Sequence, residues 1–457
     1  MAHDELSPQP YSFKDLAARV VKKDGVFYRY ISSNYAKEYR HLMSSGLYDE
    51  LVNKGLLIPH QDLKNQVSEG IFTVLIPEQI SFQSYPFEWS YSQWRKAALA
   101  CLQINSIALT YGMILKDATP YNFFLKGGKA ILLDTSSFVL FESPDYWIAY
   151  RQFCEEFLGP IALMHYRGHR WGRLTMSALR GLPLDFICEQ LPLKSYLNIS
   201  CFMHIHLHAK AKNDPSKKTT STSAGFTTEK LEQLFSLLSS TIETWNSCLA
   251  FPNHWANYYE QDIESPEYLA DKEETIERWI KEIKPESVLD LGANTGKFSE
   301  IASRYAKRVI ALECDETCVD QIESLINEQK IDNLYTLLGD LKETVPNLGL
   351  LGKEHSSIYE RAKSDLVMGL ALTHHLLIPG MIPLELIVEL FASLTNKYLI
   401  VEYIDAEDSK VKMLQKTNAR GYPSKKEFEL AIKRKFKLIE SKNSNNSNRT
   451  VYLAYIC

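Results

Sequence analysis

The chain has 457 residues, 45% of them hydrophobic, which is enough for two domains with separate cores. A formal net charge of −5 and a pI near 6.2 give no overall basic surface, which disfavours nucleic acid as a partner. Eight cysteines without a Cys-x-x-Cys pair and a polar start without an apolar core favour a cytoplasmic protein with reduced thiols. The apolar stretches are interrupted by polar residues, so we expect no membrane span.

The first distinctive pattern in chain order is an Asp-Asn-Asp set. Asp117 is followed five positions later by Asn122, and an apolar strand then ends at Asp134. A helix over Trp94 to Leu109 is predicted before it. This arrangement resembles the catalytic core of kinase-like phosphotransferases. The resemblance implies that Asp117 accepts a substrate hydroxyl proton and that Asn122 and Asp134 hold magnesium ions.

The same region departs from the kinase pattern in three ways. Residues 1 to 80 contain no glycine-rich loop and no clear strand with a phosphate-binding lysine. The nearest strand carries Arg29, which could pair with Glu38 on the following helix. Asp134 is followed by Thr-Ser rather than Phe-Gly.

Three interpretations of this N-terminal α+β domain, residues 1–210, therefore stay open. It is an active magnesium- and ATP-dependent phosphotransferase, or a substrate-recognition module on a kinase-like scaffold. In the third interpretation, Asp117 and Asn122 only cap a β-hairpin whose turn is Lys126-Gly-Gly-Lys129.

Three histidines, His204, His206 and His208, alternate along the chain. A strand would place all three on one face, where a metal ion could bridge them. No Asp, Glu or Cys follows at ligand spacing, so we expect structural packing and no metal site.

A polar segment, residues 211–228, predicts a flexible linker because it has too few apolar residues to order itself. An amphipathic helix from Glu229 to Trp245 follows. We therefore expect a second domain over residues 229–457, with this helix leading it.

The most informative motif begins at Val288, where an apolar strand runs into Asp290 and a small-residue turn. Gly292 and Gly296 remove Cβ where the chain must turn sharply, and the following helix offers unpaired N–H groups. Asn294 occupies the position between the two glycines, and asparagine can also adopt the positive φ that such a turn requires. A second strand ends in Glu313, at 313 − 290 = 23 residues from the first acid. That spacing is typical of a ribose-binding site.

An acid inside the turn would repel a pyrophosphate and attract an ammonium group. The pattern around Asp290 therefore resembles motif I of the class I S-adenosylmethionine-dependent methyltransferases rather than a dinucleotide fingerprint. A third strand ends in Gly339-Asp340, where such enzymes hold the adenine amine. The resemblance implies S-adenosyl-L-methionine as cofactor, bound by Asp290, Gly292, Asn294, Gly296, Glu313 and Asp340.

Strands alternate with helical patterns through the whole C-terminal half, and two strands beginning at Phe436 and Arg449 read as a hairpin. We predict an α/β fold with a doubly wound, Rossmann-like sheet that ends in an antiparallel hairpin. The fourth strand ends at His374 and His375 and the fifth at Glu402. These three residues are the candidates for a general base.

Taken whole, the chain resembles bacterial two-part methyltransferases related to a host-specific rhizobial nodulation protein. The resembling strings include Leu115-Lys-Asp-Ala-Thr-Pro-Tyr-Asn and Asp290-Leu-Gly-Ala-Asn-Thr-Gly. The resemblance implies methyl transfer to an oxygen or nitrogen acceptor, which the sequence leaves open between a sugar, a small metabolite, a lipid-linked intermediate and a protein. It leaves the oligomeric state open as well.

Overall fold

The structure is a computed structural model that describes residues 15–63, 69–212, 225–246, 266–416, 421–443 and 448–457. The chain divides into two compact units. The first comprises Met1–Leu125, Lys129–Phe251 and Gly349–His355, and the second comprises Lys126–Gly128, Pro252–Leu348 and Ser356–Cys457.

The first unit begins with an antiparallel sheet in the order β1-β2-β4-β3. Two further strand pairs, β5 with β8 and β6 with β7, follow it. The strands are β1 (Ala18–Lys23), β2 (Val26–Ser32), β3 (His60–Asp62), β4 (Ile71–Pro77), β5 (Met113–Leu115), β6 (Phe123–Lys126), β7 (Lys129–Leu132) and β8 (Phe138–Leu140). The predicted hairpin after Asn122 is confirmed, since Gly127 and Gly128 both have positive φ, as a two-residue turn of this kind requires.

The first unit has nine described α-helices, and the longest of them packs mainly against the second, fifth and ninth. The nine helices are α1 (Ala36–Ser44), α2 (Leu47–Asn53), α3 (Tyr91–Thr110), α4 (Tyr150–Phe153), α5 (Gly159–Arg167), α6 (Leu184–Gln190), α7 (Ile199–Cys201), α8 (His208–Lys212) and α9 (Thr228–Thr244). A capping box between Ser90 and Gln93 starts α3, whose buried face includes Trp94. Wider π-helical turns, Cys154–Leu158 and Phe202–Leu207, join α4 to α5 and α7 to α8.

Helix α9 lies in the first unit, which corrects the expected boundary at residue 229. Its apolar stripe, Leu231, Phe235 and Leu238, is buried in the core of that unit. The physical reason is that an amphipathic helix belongs to whichever core its stripe meets, and sequence order does not decide this. Of the predicted linker, residues 213–224 lie outside the described residues.

The second unit contains a seven-stranded sheet in the order β11-β10-β9-β12-β13-β15-β14. Strands β9 to β13 run parallel, and β15 runs antiparallel to both β13 and β14. The strands are β9 (Ser287–Leu291), β10 (Arg308–Glu313), β11 (Leu334–Leu338), β12 (Ser364–Gly369), β13 (Thr395–Ile404), β14 (Phe436–Asn443) and β15 (Arg449–Ile456). The predicted parallel α/β sheet with a closing hairpin is confirmed.

Eight helices of the second unit are described. They are α10 (Pro266–Ile283), α11 (Lys297–Ser303), α12 (Glu316–Gln329), α13 (Ile358–Arg361), α14 (Thr373–Leu377), α15 (Leu384–Leu394), α16 (Ser409–Gln415) and α17 (Lys425–Ile432). The central strands are buried apolar runs, as parallel strands covered on both faces must be. Strand order reverses between β9 and β12, the position where open α/β sheets have a ligand-binding crevice at the carboxyl ends of their strands. In the described ranges, no helix combines the length and apolar character needed to cross a membrane.

Candidate functional site

Three acids predicted from the sequence lie at one edge of the second unit's sheet. Asp290 is near the end of β9, Glu313 ends β10, and Asp340 follows the end of β11 by two residues. Because β11, β10 and β9 are parallel neighbours, their carboxyl ends share this edge. The structure therefore brings together the acids that the sequence predicted for one ligand.

The turn after β9 has the backbone geometry of a close ligand approach. Gly292, Asn294 and Gly296 have φ of 72°, 51° and 84°. A Cβ on Gly296 would lie 2.8 Å from Ile322 Cγ1, so glycine is required there for packing as well as for φ. The prediction that Asn294 tolerates positive φ is confirmed.

Asp290 is 2% exposed and accepts a hydrogen bond from Ser299 Oγ at 2.7 Å. Burial raises the pKa of Asp290 to about 6, against the lowering effect of that hydrogen bond. A buried carboxyl with a raised pKa gains most when a cationic group lies beside it. Asp290 thus fits the ammonium end of a ligand better than any anion.

Glu313 organises the loops around the crevice. Its Oε2 accepts the Asn294 amide at 2.8 Å, and its Oε1 accepts the Cys314 and Asp315 amides at 2.7 and 2.9 Å. Oε1 already accepts two of these bonds, but Oε2 accepts only one of them and has a second lone pair, so Glu313 can still accept a bond from a ligand hydroxyl. Asp340 is more open and takes the Lys342 amide at 2.9 Å.

Glu402 lies in a buried polar network that sequence reasoning missed. It is fully buried, accepts a hydrogen bond from the Tyr268 hydroxyl and pairs with Lys272 Nζ at 2.7 Å. It also accepts the Ala371 amide at 2.8 Å. Burial works against the charge of Glu402, but Lys272 and Arg449 outweigh it and hold its pKa below the usual range. Such a carboxylate is a structural anchor, so this geometry speaks against the expected role of Glu402 as a base.

The network continues to the last strand. Arg449 on β15 pairs with Asp408 at 3.0 Å, and its guanidinium lies 5.4 Å from the Tyr268 ring centre. The signal for Lys272 was present in the sequence, because it shares the buried face of α10 with Tyr268 and Trp279 at spacings of 4 and 7 residues. A charged side chain on the buried apolar face of a helix indicates that an oppositely charged side chain is buried beside it.

His374 and His375 lie in α14, directly after the fourth parallel strand. The side chain of His374 is buried, and neither ring nitrogen has a hydrogen-bond partner among the described residues. Burial of the His374 ring is the main reason why its pKa lies well below the usual value. The nearby side chains of His375 and Arg449 lower it further. Burial also lowers the pKa of His375 to about 4. Both rings are therefore neutral at pH 7.

In the first unit, the Asp-Asn-Asp residues lie together. Asn122 Nδ2 donates to Asp117 Oδ2 at 3.1 Å and to Ser137 Oγ at 3.3 Å. Ser137 Oγ in turn donates to Asp134 Oδ2 at 2.6 Å. Burial raises the pKa of Asp117, and the nearby charge of Asp134 raises it further.

Asp134 is the partner of Arg29, which corrects the expected Arg29–Glu38 pair. Arg29 NH1 forms a direct ion pair with Asp134 Oδ1. This ion pair joins β2 to the segment that follows β7. Burial opposes ionisation of Asp134, yet Arg29 and the hydroxyls of Ser136 and Ser137 bring its pKa below the usual range.

The three alternating histidines lie on a π-helical turn and the start of α8, so the strand that would align them is absent from this described stretch. His204 Nδ1 lies 2.6 Å from the Tyr150 hydroxyl, and His206 Nε2 lies 2.8 Å from Ser195 Oγ. His208 stacks on the Tyr150 ring at 5.3 Å, so all three rings pack against side chains of the first unit. Among the described residues, no group of three or more His, Cys, Asp or Glu side chains is placed to hold a metal ion.

No protein-family model matches the chain. The chain is 26% identical over 459 residues to the nodulation protein NoeA of Rhizobium meliloti (strain 1021), covering 96% of this chain and 94% of that protein. The resemblance to a nodulation protein drawn from the sequence is thereby confirmed, and it extends over both units.

Two methyltransferases are among the similar solved structures. N-methyltransferase NodS from Bradyrhizobium japonicum WM9, in complex with S-adenosyl-L-homocysteine, covers 44% of this chain and 93% of its own, with 8% identity and a TM-score of 0.34. Magnesium protoporphyrin IX methyltransferase ChlM from Synechocystis PCC 6803 covers 44% of this chain and 89% of its own, with 14% identity and a TM-score of 0.32. The cofactor expected from the sequence, S-adenosyl-L-methionine, is the one bound in the ChlM structure.

Proposed function

We propose that the chain is an S-adenosyl-L-methionine-dependent methyltransferase that acts on an oxygen or nitrogen acceptor. The observation that carries this proposal is the crevice at the strand-order reversal. There a buried acid with a raised pKa, a turn with three left-handed residues and two more strand-end acids meet. This donor set fits a ligand with a cationic amino acid end and a nucleoside end.

The proposal gives each cofactor-site residue a separate task. Asp290 balances the ammonium charge, and the left-handed turn from Gly292 to Gly296 lets the ligand approach the backbone closely. Glu313 accepts from the ribose hydroxyls and Asp340 from the adenine amine. When bound, the cofactor supplies a methyl group made electrophilic by its sulfonium charge.

The protein then has to supply proximity and orientation. His374 is the favoured proton acceptor, because its ring is neutral and both of its nitrogens lack partners among the described residues. The low pKa of His374 makes it a weak base. A weak base suits a methyl acceptor whose own proton becomes acidic only as the new bond to the methyl group forms. Glu402 acts indirectly, by fixing the loop that ends in His374.

Isothermal titration with S-adenosyl-L-methionine and S-adenosyl-L-homocysteine tests the cofactor assignment. Asp290→Asn keeps an acceptor for Ser299 but removes the charge, so we expect at least roughly tenfold weaker binding of the amino acid end. The matched control is Asp365→Asn at the amino end of β12, where Asp365 pairs with Lys397 at 3.0 Å. Equal affinity in Asp290→Asn and wild type, or no binding by wild type, would refute the proposal.

A second candidate function is a magnesium–nucleotide site in the first unit. It is favoured by the adjacency of Asp117 and Asn122, with Ser137 linking Asn122 to Asp134. In this proposal a magnesium ion replaces the Arg29 guanidinium at Asp134. The guanidinium then binds the phosphates of the nucleotide.

Thermal shift with ATP and magnesium tests this second candidate. We expect a magnesium-dependent rise in melting temperature that Asp134→Asn abolishes. Asp49→Asn, an exposed acid on α2, should keep the rise. No rise in the wild type would exclude the nucleotide site and leave the first unit as a recognition module.

A further inference from the structure

The first unit exposes several large apolar side chains within the short stretch of helical segments from Leu193 to Leu207. Leu193, Leu197 and Ile199 are 86%, 90% and 64% exposed. Phe202, Met203 and Leu207 continue the same surface, and each is more than a third exposed. We call these six residues the apolar face.

The apolar face is built on a fixed framework. Ile199, Phe202, Met203 and Leu207 recur at helical spacing along α7 and the π-helical turn after it. The opposite side of these turns, with Cys201 and Ile205, is buried in the unit's core. The stretch from Ile199 to Leu207 therefore has apolar side chains on both sides. The inner side is buried in the core, and the outer side is exposed to solvent.

Contacts below the face hold it in place. His206 Nε2 lies 2.8 Å from Ser195 Oγ and His206 Nδ1 lies 3.0 Å from Cys188 Sγ. The Tyr196 ring stacks on His206 at 3.7 Å and tilts against Phe202 at 6.5 Å. These bonds join three short helical segments. Single exposed apolar residues are common in folded proteins, whereas a joined cluster of this size indicates a binding surface.

Basic residues accompany the apolar face. Residues 165–212 contain seven Lys and Arg against two Asp and Glu, in a chain whose formal net charge is −5. Lys194 lies between Leu193 and Leu197, and Lys210 is exposed one turn beyond Leu207. Arg167 is exposed and donates to the Gln190 carbonyl at 2.7 Å. The charge of this segment is thus opposite to that of the chain.

We propose that the apolar face docks on an anionic lipid surface. The six apolar side chains enter the boundary between headgroups and acyl chains, and Lys194 and Lys210, which lie beside them in the chain, meet lipid phosphates. A second copy of this chain is the poorer occupant. A two-fold interface would bring two copies of the same basic segment together and oppose like charges. The proposal is independent of the methyl-transfer assignment, because its readout is vesicle binding.

Co-sedimentation of the full chain with vesicles tests the proposal. We expect the protein to sediment with vesicles of phosphatidylcholine and phosphatidylglycerol, to bind pure phosphatidylcholine far less, and to be released by raised salt. Leu197→Ser should weaken binding roughly tenfold, since it removes an inserted apolar side chain. Leu430→Ser, a 54% exposed leucine on α17, is the matched control and should bind like the wild type.

Two results would overturn the proposal. One is a wild-type chain that stays in the supernatant with anionic vesicles at low salt. The other is a dimer, seen by light scattering without lipid, that Leu197→Ser converts to monomer, which would make the face a contact between copies. Leu197 is 90% exposed, so its replacement leaves the core intact and circular dichroism should match the wild type.

Discussion

The Ala371 amide donates a hydrogen bond to Glu402 Oε2 at 2.8 Å, and Ala371 has a φ of 47°. A non-glycine residue in the left-handed region costs about 1–2 kcal/mol. The buried carboxylate therefore holds a strained link between β12 and the helix that carries His374. Strained backbone of this kind is typical of functional sites. Here the strained residue, Ala371, is held by Glu402 on the neighbouring strand β13.

The first prediction separates anchoring from base catalysis at Glu402. Glu402→Ala should lower the free energy of unfolding by about 3–5 kcal/mol, because it leaves Lys272 buried without its partner. Glu402→Gln keeps an oxygen for the Ala371 amide and should retain measurable methyl transfer. Denaturant unfolding and turnover are measured together. Loss of turnover in Glu402→Gln with unchanged stability and cofactor affinity would restore the base role.

A matched control for this experiment is Glu323→Gln. Glu323 is also buried in the second unit, and its Oε1 accepts the Thr336 hydroxyl at 2.7 Å. It lies outside the Glu402 network. We expect a smaller stability loss there and unchanged turnover.

The second prediction concerns the pH dependence of cofactor binding. The pKa of Asp290 is about 6 in the free protein, and a bound cationic ligand favours the ionised form. Affinity should therefore be flat above pH 7 and fall below pH 6, by about tenfold at pH 5. Titration calorimetry across this range checks it. Asp290→Asn should bind weakly at every pH, and a wild-type affinity that rises on acidification would contradict the assignment.

The same shift affects stability in the opposite sense. The folded pKa of Asp290 lies above the ordinary 3.8, so the stability it contributes is fully present below that value and is lost as pH rises through about 6. Ligand binding and intrinsic stability thus favour different protonation states of one carboxyl.

The third prediction concerns Gly296→Ala. Its φ of 84° disfavours any side chain, and the added Cβ would lie 2.8 Å from Ile322 Cγ1. We expect a loss of about 2–4 kcal/mol in unfolding free energy, together with weaker cofactor binding. Gly421→Ala is the control, since its Cβ would meet no atom within 4 Å. Comparable stability in the two variants would show that the turn is less constrained than its geometry indicates.

The fourth prediction concerns Glu156 in the first unit. Burial raises the pKa of Glu156 to about 7 from the ordinary 4.5. Its contribution to stability is present below pH 4.5 and is lost as pH rises through 7. Glu156→Gln should therefore be the more stable protein at pH 8, by up to about 3 kcal/mol, and should lose this advantage near pH 5. Thermal denaturation at both pH values decides the matter.

The parts of the site that are local in sequence could be predicted, and the parts that depend on distant partners could not. Asp290, Glu313 and Asp340 follow from strand ends, because parallel strands must share an edge. The anchoring role of Glu402 depends on Tyr268 and Lys272, which precede it by more than 100 residues. No local pattern encodes such a pairing.

Two further differences have physical explanations. The alternating histidines fit a strand by period, but α7, the π-helical turn and α8 form a continuous helical stretch whose buried side fills the core. Sequence order predicts that helix α9 leads the second domain, whereas its apolar stripe is buried in the core of the first unit. In both cases tertiary packing outweighed local sequence order.

The buried network in the second unit joins the first helix described there to the last strand, since Arg449 lies against Tyr268 and pairs with Asp408. During synthesis on a ribosome, the strands that form the crevice are complete long before β15 emerges. A nascent chain at that stage has the acids of the proposed cofactor site but lacks the arginine that completes the anchor. The Arg449–Asp408 pair therefore forms only after β15 has been synthesised, so the buried anchor around Glu402 is completed later than the strand ends that carry Asp290 and Glu313.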